Sequence, residues 1–131
     1  MFEARLTAQF IRATRKIDTA TLRQAIEELL SDPYHARGSH VLGNVWAGFR
    51  GANFSQIDRF VFRICEECVA RHQEKLNPLA CCAQIADNKQ VVTFTDFGDY
   101  HESAGRRRLR PARSYEVVAP EKESESDTGS A

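Results

Sequence analysis

All four cysteines of the chain, Cys65, Cys68, Cys81 and Cys82, lie in one short central segment. A disulfide framework spreads its cysteines along the chain, so this crowding points to metal binding or reactive thiols. The first pair is also placed with a mechanical meaning. Phe60, Phe62 and Ile64 alternate with Arg59, Val61 and Arg63 as a strand does, and Cys65-Glu66-Glu67-Cys68 then opens a helical pattern through Val69, Ala70, His72 and Lys75. A strand that delivers two thiolates to the head of a helix supplies half of a tetrahedral zinc site, because the helix N-terminus favours their charge.

From Phe60 to Lys75 the residues resemble the second knuckle of treble-clef-like zinc modules, in which a strand carries C-x-x-C onto a short helix. The upstream C-x-x-C of such modules is absent. The resemblance implies a structural Zn²⁺ whose missing ligands come from elsewhere in the chain. Cys81 is favoured by the loop length back to Cys68, with His40 completing a Cys₃His set and His35, His72 or Cys82 as alternates. Adjacent Cys81 and Cys82 would face opposite sides of a strand, so only one of them would meet the metal. The competing reading is four reduced cysteines packed as small core residues. A redox site is disfavoured, because Glu66 and Glu67 would raise the thiol pKa values where an attacking thiol needs a lowered one.

The remaining pattern sets the fold class. Phe2, Ala4, Leu6, Ala8 and Phe10 alternate with polar residues, which predicts a strand, although Phe2, Leu6, Phe10, Ala13 and Ile17 also approach helical spacing. Asp18, Thr19 and Thr21 offer capping oxygens to a helix whose stripe is Leu22, Ala25, Ile26, Leu29 and Leu30, and Asp32-Pro33 ends it. A short helix is expected over 40–49, despite Gly43 and Gly48. A hairpin is expected from 80–86 and 90–97 around Asp87-Asn88-Lys89, and a last short strand at 114–118. Asp96-Phe97-Gly98 is read as strand end and turn. Lone Trp46 with Phe49, Phe54, Phe60 and Phe62 is read as core. The prediction is an α+β domain over 1–119, a small sheet with two or three helices and a candidate zinc knuckle. Residues 120–131, with hardly an apolar side chain, are expected as a disordered acidic tail.

With 18 basic and 18 acidic residues, the whole chain favours no charged partner, and electrostatics must be local. Arg106, Arg107, Arg108, Arg110 and Arg113 form a basic run that could contact nucleic-acid phosphates, with Tyr100, His101 and Tyr115 near enough to stack on bases. Glu121, Glu123, Glu125 and Asp127 follow and could occupy the same patch. No apolar run reaches bilayer length, so no membrane association and a cytoplasmic location are expected. The functional expectation is a small binding or regulatory module, non-enzymatic and zinc-stabilised, acting through protein or nucleic-acid contacts. The alternatives are a thiol-based redox protein or enzyme using the C-x-x-C, and a metal-free inhibitor or adaptor docking on a larger protein.

Overall fold

The computed structural model describes residues 2–70, 90–99 and 109–118. Its frame is a six-stranded sheet of β1 (Glu3–Thr7), β2 (His40–Val41), β3 (Arg50–Asn53), β4 (Arg59–Ile64), β5 (Val91–Gly98) and β6 (Val117–Val118), in the order β2-β3-β4-β5-β1-β6. Neighbours are antiparallel except β1 and β5, which run parallel with Glu3 opposite Val91 and Leu6 opposite Phe94. Among the described residues three α-helices accompany it: α1 (Ala8–Ala13), α2 (Thr19–Ser31) and α3 (Cys65–Ala70). This is the α+β architecture expected.

The ambiguous N-terminal segment is both of its readings in turn. Thr7 is the switch: its backbone is extended, its hydroxyl accepts from the Phe10 N–H to cap α1, and it donates to the carbonyls of Phe94 and Thr95. The strand predicted through Phe10 therefore stops at Thr7, and Phe10 enters the core from a helix. In α2, Asp18 is the N-cap and accepts from both the N–H and the hydroxyl of Thr21. The Thr21 N–H bond is the main cause that holds its carboxyl below the ordinary range.

Phe10, Ala25, Leu29, Phe60, Phe62, Ile64, Val92, Phe94 and Phe97 form one core between the helices and one face of the sheet. Strict alternation along β5 would put Phe94 and Phe97 on opposite faces. The register slips between Val61 and Phe62, so that Asp96 faces Val61 while Phe94 faces Phe62, and Thr95 is the extra residue. This bulge turns both rings into the core and sends Asp96 to the other face.

The short helix expected over 40–49 is not formed. Residues 40–41 are a strand, Asn44 takes a positive φ of 55°, and Asn44–Trp46 make a single 3₁₀ turn. Asn44 tolerates left-handed backbone that a helix former would not, and Leu42, Trp46 and Phe49 serve the opposite face of the sheet instead. There Trp46, Phe49, Val61 and Tyr115 form a second cluster, with Leu42, Leu109 and Ala112 against it. β6 confirms the last predicted strand over part of its length. The first arm of the expected hairpin, the end of the helix after Ala70 and the expected acidic tail lie outside the described residues.

Candidate functional site

The face of the sheet opposite the phenylalanine core is unusually polar for a buried surface. Arg63 and Thr93 lie opposite each other on β4 and β5, and Arg5 of β1 pairs with the same Thr93. Arg63 is 1% exposed, its guanidinium 4.9 Å from the centre of the Phe49 ring, while Thr93, Thr95 and Asp96 are also buried. Charged groups rarely enter a core without polar partners, so the face is specified by more than apolar packing.

A strap formed by residues 109–116 crosses this face. It starts where the Leu109 N–H donates to the Asp99 carbonyl, and it ends where Ser114 and Glu116 accept from Gln9 and Ala8 before β6 joins β1. Tyr115 anchors it. The phenol donates to Asp96 Oδ2 at 2.5 Å and accepts from the Ala112 N–H at 3.0 Å, and its ring meets Phe49 edge-on. Burial pushes the Asp96 carboxyl up, against the opposing hydrogen bonds from Tyr115 and Thr95. Burial, then the hydrogen bond to Asp96, pushes the Tyr115 phenol up as well, so it stays a proton donor. Tyr115 was expected to be free to stack on bases. It is spent as an anchor, and the strap instead presents Arg110 and Arg113 to solvent. Neither has an ion-pair partner among the described residues.

A second polar cluster lies on the helix side, at the sheet's end. Arg50 donates from Nη1 to Glu67 at 2.9 Å, from Nε to Ser39 and from Nη2 to the Tyr34 carbonyl, and it stacks over the Tyr34 ring. Tyr34 in turn donates to Glu66 at 2.8 Å, and burial followed by that bond raises its pKa. Every nitrogen of the guanidinium is used, so this cluster is a clasp between α3 and the segment after α2. Glu66 and Glu67 face this clasp.

Of the predicted metal ligands, the described ones are Cys65, His40 and His35, and they do not share a site. Cys65 is 1% exposed, with Sγ 3.9 Å from the Thr93 hydroxyl. His40 is exposed on β2, its ring bonded to the Gly38 carbonyl. It pairs with Gly51, which pairs with Val61, so it lies two strand spacings of about 4.8 Å across and four residues of about 3.3 Å along from Cys65. His35 is exposed against Asp32. Cys68 follows in α3, and nothing is described of its side chain, while His72, Cys81, Cys82, Arg106, Arg107 and Arg108 lie outside the described residues. Among the described residues no group of three His, Cys, Asp or Glu side chains is placed to hold a metal. No helix among them is long and apolar enough to cross a membrane.

No protein-family model and no curated protein sequence matches the chain. Solved structures of similar shape include a chain of the toxin–antitoxin complex RelBE2 from Mycobacterium tuberculosis, 18% identical, covering 75% of this chain and 96% of that one at a TM-score of 0.46. YafQ from E. coli is 14% identical, covering 76% and 93% at 0.46. A copper-bound mutant toxin from Helicobacter pylori is 14% identical, covering 76% and 96% at 0.48. Identity and TM-score at this level transfer no residue role. The zinc-stabilised regulatory module is nevertheless corrected. Cys65 is packed against a threonine, and among the described residues no metal site is assembled.

Several residues of these two clusters escaped the sequence reading. Asp96 had left a signal, a lone carboxylate inside an otherwise apolar and β-branched run. Arg50 left none, since its partners lie 11 to 17 residues away in the chain.

Proposed function

We propose that this chain is a toxin-type protein that works on RNA, gripping the phosphates of a strand with Arg110 and Arg113. One observation supports the RNA half: two exposed arginines without carboxylate partners among the described residues, on a strap that a buried phenol–carboxylate bond fixes to the sheet. Preset cations lose little freedom on binding, and phosphate contacts of this kind release counterions. The basic run continues through Arg106, Arg107 and Arg108 in sequence, which would lengthen the same footprint. The toxin half takes its wording from the names of the similar shapes and no weight from the likeness itself, so growth is the first quantity to measure. A protein partner fits that reading, since one of those shapes was solved as a toxin with its antitoxin.

The experiment has two readouts. Induced expression in a bacterial host is expected to arrest growth, and the Arg110→Ala/Arg113→Ala double variant to relieve the arrest at equal protein level. Purified protein is expected to bind single-stranded RNA with a salt dependence that the double variant lowers by about 1.4 in log–log slope, the value for two lost phosphate contacts. Normal growth at full expression overturns the toxin half. An unchanged slope overturns the RNA half.

A further inference from the structure

A groove of about 440 Å³ opens at the far tip of the β3–β4 hairpin, lined by Arg37, Asn53, Phe54, Ser55, Gln56 and Arg59. Its walls are fixed by the turn itself. The Ser55 hydroxyl accepts from the N–H groups of Ile57 and Asp58, and the Asp58 carbonyl accepts from those of Phe54 and Ser55. Arg59 folds back over this turn and directs one nitrogen, Nη1, at the carbonyls of Ser55, Gln56 and Asp58, at 3.1, 3.2 and 3.3 Å.

That arrangement leaves a guanidinium immobilised by neutral acceptors. Among the described residues no carboxylate pairs with Arg59, and its Nε and Nη2 donors have no protein acceptor. The opposite wall differs. Arg37, at a left-handed φ of 52°, is already neutralised by Glu28 and bonded to the carbonyls of Asn53 and Phe54. One wall is therefore saturated, and the other offers two adjacent, parallel donors, the fork that matches a phosphate or carboxylate. Phe54 also lines the groove, half-buried and held edge-on by Phe60 and Phe97.

From this geometry we infer that the hairpin groove binds a mononucleotide, its phosphate on the free edge of Arg59 and its base against Phe54. The ligand is either a free nucleotide or the phosphorylated end of an RNA strand, which share the same chemistry. None of the lining residues belongs to the strap.

The test titrates the full chain with adenosine 5′-monophosphate, with adenosine, and with a short RNA bearing either a 5′-phosphate or a 5′-hydroxyl. Chemical shifts at the hairpin tip report occupancy. The monophosphate is expected to saturate the site below about 1 mM and adenosine to bind roughly tenfold more weakly, the loss of one charge-assisted contact. Arg59→Gln should abolish that preference. Gln56→Glu is the control for folding, since the Gln56 side chain is exposed and holds no part of the turn, and a negative charge there should weaken the monophosphate alone. Tighter binding of the 5′-phosphorylated RNA than of the monophosphate assigns the site to strand ends, and the reverse assigns it to free nucleotides. No preference for phosphate in the native chain, or a preference that survives both substitutions, overturns the inference. The Arg110→Ala/Arg113→Ala variant should bind the monophosphate unchanged, so failure here is separable from failure of the strap.

Discussion

The two faces of the sheet are built from the same strands and obey different rules. On the helix side Phe10, Phe60, Phe62, Phe94 and Phe97 pack at centroid distances of 5.3 to 6.3 Å, mostly tilted or edge-on. On the strap side Arg63, Thr93, Thr95 and Asp96 alternate with them and are just as buried. Aromatic burial is non-directional and tolerates adjustment, while buried polar groups must find partners of fixed geometry. The helix side thus supplies most of the stability, and the strap side specifies which segment lies across it.

That division is broken most directly by removing a ring. Phe94→Ala opens a cavity where three other phenylalanines meet, and a loss of about 3–5 kcal/mol is expected in urea unfolding. A loss no larger than that of an exposed side chain would show that the aromatic face does not carry the fold. The Arg50–Glu67 clasp sharpens the comparison, because it is a buried ion pair on the apolar side, with side chains 10% and 12% exposed. Arg50→Met should cost roughly 3 kcal/mol by removing the guanidinium that bonds Glu67, Ser39 and the Tyr34 carbonyl, whereas Arg50→Met/Glu67→Leu should recover much of that loss. If the two single losses simply add in the double variant, the clasp contributes no coupling.

How far the sequence reveals these faces depends on the range of the interactions. The α2 helix was legible because cap, stripe and stop all lie within one local window, from Asp18 to Pro33. β4 and the α+β class were legible for the same reason. The 40–49 segment was misread because Val41, Leu42, Val45, Trp46 and Phe49 match a helical period by accident of where they are needed: Trp46 and Phe49 pack on Val61 and Tyr115, a tertiary demand that spacing does not encode. The C-x-x-C motif carries a similar ambiguity. C-x-x-C at a strand-to-helix corner also arises when Cys65, the first residue of α3, packs its thiol against Thr93 while Glu66 and Glu67 meet Tyr34 and Arg50. The bulge at Thr95 was invisible, although the clash between alternation and two inward phenylalanines was its trace.

The smallest effect is the most specific to the strap side. Asp96 holds its proton more tightly in the folded chain than at its ordinary value of 3.8, because burial penalises the carboxylate. Between that value and the raised one the folded state binds more protons than the unfolded state, so stability from this group is full at low pH and is lost as pH rises through the raised pKa. Asp18, which is held low and is exposed, acts in the opposite direction, so the informative quantity is native chain minus Asp96→Asn. That difference should fall with rising pH and then level off. Tyr115→Phe removes the hydrogen bond that partly offsets burial, which should move the fall to higher pH and cost about 1–2 kcal/mol near neutrality. It should also loosen the strap and weaken RNA binding without touching Arg110 or Arg113. A flat difference curve, or one that rises with pH, would mean that the carboxylate is solvated in the folded chain and that the strap is held by its apolar contacts alone.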